Sequence, residues 1–332
     1  MNRKHLFLAP LLLTLGLASP AMADCGEVTI ANMNAQTAEA LAAIDEFILT
    51  NGFGCSASQV SGDTVPAITS MIEKGQPDII PEAALTVVPD LIKQGVDAGA
   101  IVETVDPLSG SGEQGLWVPK ALVDKYPEVA TLKGALAHPE LFPDPEDPSK
   151  GAIYNGAQGW GSTIVTAQLF KANKIAESNF NLVDPGSLAG LDSAISRANE
   201  RGTGIIAYYW SPTGLLGRYE MVKVDLGVPH DPQEWTRCST KADCADPKPN
   251  NWPADSKLTL VSKPFAERQD PAIMDYLNKR ALDRDTINEL LAWMTENQAP
   301  GDVAAEHFLT EKEAVWSKWL APDVAAKVKE AL

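Results

Sequence analysis

Apolar and polar positions alternate along this chain in two periods, and the switches between them mark out its elements. Residues 27–33 form a short apolar-rich run and predict a first strand. Residues 36–50 follow at helical spacing, with Leu41, Ile44, Phe47 and Ile48 on one stripe and Gly52 as a stop. Residues 56–62 predict a short strand and turn, residues 65–74 a helix ending at Lys74-Gly75, and residues 77–82 a third strand. Strand, helix, strand, helix, strand implies a parallel sheet with helices on both faces. Ligands of such sheets bind at the carboxyl ends of the strands. Asn34, Ala35, Asp63, Thr64 and Glu82 fall at those ends.

The pattern breaks at residues 106–115, which are rich in Pro, Ser and Gly and predict a crossover between domains. Leu116-Trp117-Val118 opens a second set of elements. Residues 139–150 predict a surface loop, 152–154 a strand, 162–172 and 187–199 helices, and 204–209 a strand. Residues 228–256 are polar and proline-rich and predict a surface excursion. Residues 258–261 return as a strand, and everything after is helical, with Ile287, Leu290, Leu291 and Met294 on one stripe. No repeat of solenoid period occurs. The expected architecture is α/β: two α/β lobes joined by a double-crossover hinge, one of residues 24–108 plus 257–332, the other of residues 109–256.

Composition fits that size. The chain has 332 residues, 45% of them hydrophobic, and a mean hydropathy of -0.11, which suits about two domains. The first 23 residues read as a signal peptide. Arg3, Lys4 and His5 precede an apolar run over 6–17, and Ala21-Met22-Ala23 is a small-x-small cleavage site. The run is too short to span a bilayer comfortably, and Asp24 before Cys25 is wrong for lipidation. The expectation is a free protein of the periplasm. The net charge is -17, and cleavage would remove Arg3 and Lys4 and no acid. A chain this acidic repels nucleic acid and anionic membrane surfaces, so neither is an expected partner.

Four cysteines in an exported chain point to disulfides. Cys238 and Cys244 close a small loop in a polar segment and are expected to pair, which leaves Cys25 with Cys55. The rival reading is a zinc site, but only His230 lies near these cysteines. No metal and no cofactor is expected.

Two aromatic stretches carry the candidate chemistry. In Gly159-Trp160-Gly161-Ser162 the glycines leave the indole uncovered locally, and a helix begins just after it. An indole face attracts a cation, and the free amides of a helix start attract an anion. Gly161 and Ser162 are the amide candidates. Trp210 ends the apolar run 205–209 before Ser211-Pro212 and is a candidate second wall, with Tyr209 a lesser one. Trp117 follows the crossover and either reaches the cleft or is structural. Glu82, closing its strand after Pro81, could complement an ammonium group or accept a hydrogen bond. For Trp160 and Trp210 the bland alternative is core packing, and for Glu82 a solvated loop acid. Trp293, Trp316 and Trp319 stand at core spacing, and Trp235 and Trp252 flank the disulfide loop as structural residues. His138, His230 and His307 share no neighbourhood with a nucleophile, and no Gly-x-Ser-x-Gly, P-loop or His-Glu-x-x-His occurs. No catalytic residue is expected.

The mature chain resembles the glycine betaine/proline betaine substrate-binding proteins of ABC importers. The likeness rests on Gly62-Asp63-Thr64, Lys74-Gly75-Gln76-Pro77-Asp78, Gln114-Gly115, Gly159-Trp160-Gly161 and Tyr208-Tyr209-Trp210-Ser211-Pro212, in order. It implies the type II periplasmic binding protein fold and a small betaine-like ligand. It also implies delivery to a permease and its ATPase, which would be the chain's only tie to a membrane. It makes Trp160 and Trp210 walls of an aromatic cage, and Gly161 and Ser162 donors to a carboxylate. The chain departs from the family at Ala83-Ala84-Leu85, where a tryptophan is usual, and at Ala35, where near relatives carry an aromatic. Those losses imply either a bulkier ligand or a substitute such as Trp117 or Tyr154. The rivals are an exported enzyme with Glu82 or Glu113 as base, and a sensing subunit of a receptor.

Overall fold

A computed structural model describes residues 25–109 and 112–332. The expected signal peptide lies outside the described residues. Among the described residues, ten strands make two five-stranded sheets. The first holds β1 (Glu27–Asn32), β2 (Ser56–Ser61), β3 (Ile79–Ala84), β4 (Ile101–Glu103) and β10 (Lys257–Ser262), in the order β2-β1-β3-β10-β4. The second holds β5 (Glu113–Pro119), β6 (Gly151–Tyr154), β7 (Phe180–Val183), β8 (Ile206–Ser211) and β9 (Met221–Lys223), in the order β7-β6-β8-β5-β9.

Neither sheet is wholly parallel. β1 pairs in parallel with β2 and β3, as the strand-helix alternation implies, but β10 enters antiparallel to β3 and β4. In the second sheet β6 is parallel to β7 and β8, whereas β5 is antiparallel to β8 and β9. The physical reason is shared. β10 and β5 are the strands that receive the chain from the opposite lobe, so they run against the strands built by local crossovers. The two crossing segments meet at an antiparallel bridge between Glu113 and Ala254.

The helix Gln36–Phe53 runs through the expected stop at Gly52 and ends at Gly54, the residue that takes the left-handed conformation, whereas Thr64–Lys74 stops at Gly75 in the same conformation, as expected. The C-terminal helices pack back on the first lobe, where Phe308, Trp316 and Trp319 join Leu41, Ile44 and Ile48 in one core. Trp293 instead stacks on His307 at 3.8 Å between centroids. A buried ionic network fixes this layer. Arg280 Nε lies 2.7 Å from Asp45 Oδ1, both side chains fully buried, and Tyr276 donates its hydroxyl to the same oxygen at 2.5 Å. Arg280 also donates to Thr259 on β10.

The segment 228–256 lies on the surface, as its composition implies, and is anchored into the second lobe by a few buried residues. Trp235, Cys238, Asn250 and Trp252 are all buried. Asn250 folds the segment on itself by accepting from the Asp231 amide at 2.7 Å and donating to the Asp231 carbonyl at 2.9 Å. Trp252 packs on Tyr208 at 5.3 Å and Trp235 on Trp252 at 5.5 Å. Gln168, on the helix Gly161–Ala172, donates to the Lys241 carbonyl at 2.6 Å. The polar composition serves these internal bonds, so the segment is a strap over the second lobe. Disulfides join Cys25 to Cys55 and Cys238 to Cys244, with Cα atoms 4.9 and 5.4 Å apart.

Candidate ligand-binding cleft

Between the sheets lies a small cavity lined from both lobes. The first lobe contributes Asn34 and Ala35 after β1, Asp63 and Thr64 after β2, Glu82 and Ala84 at the end of β3, and Asp255 and Lys257 at the start of β10. The second lobe contributes Gln114, Trp160, Gly161, Ser162, Tyr208 and Trp210. The cavity holds about 70 Å³ of free space, room for roughly five waters or an organic molecule of a few heavy atoms.

The second-lobe wall is aromatic. Trp160 and Trp210 stand nearly perpendicular, at 86° with centroids 5.2 Å apart. Tyr208 stacks near Trp210 at 6.3 Å and 27°. Tyr208 and Trp210 share a face because strand side chains alternate. Behind Trp160 the helix Gly161–Ala172 begins, so the amides of Gly161 and Ser162 have no intrahelical acceptor. Two glycines permit this corner. Gly159 takes a left-handed φ of +87°, and a Cβ on Gly161 would meet the Val87 carbonyl oxygen at 2.8 Å.

The first-lobe wall is ionic. Lys257 donates to Glu82 Oε1 and lies 3.9 Å from Asp255 Oδ2. Asp255 Oδ1 accepts from Gln114 Nε2 at 2.7 Å, and Gln114 in turn accepts the Tyr208 hydroxyl at 2.8 Å. Burial pushes the Asp255 carboxyl up, against the pull of Lys257 and Gln114. Burial likewise raises the Tyr208 phenol, which stays neutral. Glu82 Oε2 and Asp255 Oδ2 are buried and lack hydrogen-bond partners.

The lobes are closed on one another. The Trp160 indole donates to Asp63 Oδ1 at 3.1 Å, and the Val65 amide donates to the Gly159 carbonyl at 3.2 Å. On the strap, the Trp235 indole donates to the Thr86 carbonyl at 2.6 Å, and Lys241 pairs with Asp90.

Of the residues named from sequence, Trp160, Gly161, Ser162, Trp210 and Glu82 line this cavity. Trp117 and Tyr209 do not. The Trp117 indole is tied to the Tyr209 carbonyl at 3.0 Å, and the Tyr209 hydroxyl donates to Asp192 at 2.7 Å, on the opposite face of β8. Tyr154 is also absent from the lining, so neither sequence-named substitute fills the places left by Ala35 and Ala84. Sequence reading missed Tyr208, which strand alternation from Trp210 would have found. It also missed Asp255 and Lys257, which carry no local signal.

Known proteins share the family and the fold of this chain. Residues 26–311 match the model of the substrate binding domain of ABC-type glycine betaine transport systems. None of the curated protein sequences matches the chain. Among solved structures, an ABC-transporter choline binding protein in complex with choline aligns with a TM-score of 0.73 at 16% identity, covering 92% of this chain and 98% of that one. The glycine/betaine/L-proline-binding protein of Borrelia burgdorferi aligns at 0.70 and 16% identity, covering 91% and 99%. Lactococcal OpuAC, closed on glycine betaine, aligns at 0.67 and 15% identity, covering 89% and 100%. These likenesses establish the two-lobe type II periplasmic binding protein fold. The chain belongs to the family of substrate-binding domains of ABC-type glycine betaine transport systems.

Proposed function

We propose that the cleft captures a small ammonium-bearing molecule, a quaternary ammonium or methylated zwitterion, in the periplasm and delivers it unchanged to a permease and its ATPase. One observation carries the reading: the perpendicular pair Trp160 and Trp210 at the mouth of a helix. Two indole faces and a phenol attract a cation at about 0.5–2 kcal/mol each. The free amides of Gly161 and Ser162 suit the carboxylate of a zwitterion. The small free space suits a small molecule rather than a peptide or an oligosaccharide.

The cycle follows from closure. Contacts at Trp160–Asp63 and Gly159–Val65 exist only when the lobes meet. A ligand touching both lobes favours that state by its differential affinity. Opening at the hinge then releases it. The rival enzyme would turn its ligand over, so mass spectrometry of recovered ligand separates the two.

Trp160→Ala is expected to weaken binding of choline or glycine betaine, whichever the wild type takes, by at least about tenfold. Its circular dichroism should stay unchanged. Identical calorimetric titrations for variant and wild type would sink the aromatic-cage reading.

A further inference from the structure

We infer that the ionic wall of this cleft selects amines that keep at least one N–H, in preference to their permethylated counterparts. The inference rests on the proposed ammonium-binding role and concerns the other half of the same cavity.

A fully methylated nitrogen presents only carbon and keeps its charge, but has no N–H to donate to an acceptor. Here the aromatic surface comes from one lobe alone, through Trp160, Tyr208 and Trp210. The facing lobe offers no ring: its apolar lining is Met33, Ala35, Ala38, Ala84 and Val87, and carboxylates stand among them. Three carboxylates line the cavity, Asp63, Glu82 and Asp255, against the single ammonium of Lys257. That excess calls for a cation.

The carboxylates also call for hydrogen-bond donors. The Glu82 side chain is 8% exposed. Its Oε1 accepts from Lys257, while Oε2 is buried without a partner. The Asp255 side chain is 2% exposed, and its Oδ2 accepts no hydrogen bond, with the Lys257 ammonium 3.9 Å away. A buried acceptor left unsatisfied is costly. A methylated nitrogen covers such an oxygen without bonding to it, whereas an N–H bonds and neutralises it together. Selection therefore falls on the nitrogen's donors: the indoles take its carbon face and Glu82 accepts its N–H hydrogen bond.

The experiment is calorimetric titration of the full chain at pH 7 with two matched pairs, choline with dimethylaminoethanol and glycine betaine with dimethylglycine. Each pair differs by one methyl replaced by hydrogen, and both N–H members are protonated at this pH. The expected result is tenfold or tighter binding of the N–H member in whichever pair binds. Glu82→Gln should bring that ratio close to one, and Asp255→Asn should lower it. A merely structural role would change melting temperature and leave the ratio alone, so the ratio is read on variants with wild-type circular dichroism. If Glu82→Gln does not fold, Asp255→Asn carries the test. Choline matching or exceeding dimethylaminoethanol, or betaine matching or exceeding dimethylglycine, overturns the inference while leaving the cage intact. A ratio unmoved in the folded variants also overturns it. No binding by any of the four overturns the ammonium-binding role itself.

Discussion

Asp192 shows how one strand position separates ligand wall from scaffold. It receives the Tyr209 hydroxyl at 2.7 Å on the face of β8 away from the cavity. Burial pushes its carboxyl from 3.8 up to about 6, against the opposing hydrogen bond. A raised acid favours the folded state where it is protonated. Stability from this group is thus full below about pH 4, falls as pH rises toward 6, and stays low above. The swing is roughly 2–3 kcal/mol. Asp192→Asn keeps an acceptor for Tyr209 and removes the buried charge. Urea unfolding should show the variant more stable at pH 7 by about 1–2 kcal/mol, with the gap closing toward pH 4. Parallel stability curves would rule this account out. The neighbouring residue marks the limit of sequence reading at this scale. Trp160 was legible because glycines flank it and a helix follows. Between Tyr208 and Tyr209 only strand parity decides, and parity needs Trp210 as its anchor. Asp255 and Lys257 were illegible because their partners, Gln114 and Glu82, lie over 140 residues away.

Whole elements were read best where their pattern was long. The helices Gln36–Phe53 and Arg284–Asn297 declare themselves by apolar stripes. The three-residue strand Ile101–Glu103 is too short to show a period. The strap 228–256 was legible as a polar surface segment, but not the internal bonds through Asn250 that hold it. Its position gives it a task in closure, since Trp235 reaches Thr86 and Lys241 reaches Asp90 on the opposite lobe. Trp235→Phe keeps ring packing on Trp252 and removes only the N–H. A hydrogen bond of this kind contributes about 0.5–1.5 kcal/mol. The variant should bind about two- to tenfold more weakly and show a larger radius of gyration without ligand by small-angle scattering. An unchanged radius together with unchanged affinity would mean the strap does not hold the lobes together.

Across the whole molecule, the two-lobe plan was legible because each lobe repeats strand-helix alternation on its own side of a Pro-Ser-Gly break. The antiparallel entry of β5 and β10 was not, since it depends on which lobe the chain has just left. Charge is the other property at this scale. The chain carries -17, and within that total three carboxylates against one ammonium stand at the cavity. A field of one sign concentrates cations near a cleft and speeds their arrival. Salt shortens its reach, from about 30 Å at 0.01 M to about 3 Å at 1 M. A net cation such as dimethylaminoethanol should feel this field, whereas zwitterionic dimethylglycine has no net charge for it to act on. Trp160 and Trp210 line the cavity, so stopped-flow tryptophan fluorescence can report arrival. Between about 10 mM and about 500 mM sodium chloride, the association rate of the cation should fall several-fold while that of the zwitterion stays nearly level. Equal salt dependence for the two would mean that the net charge keeps the protein soluble and does nothing to gather its ligand.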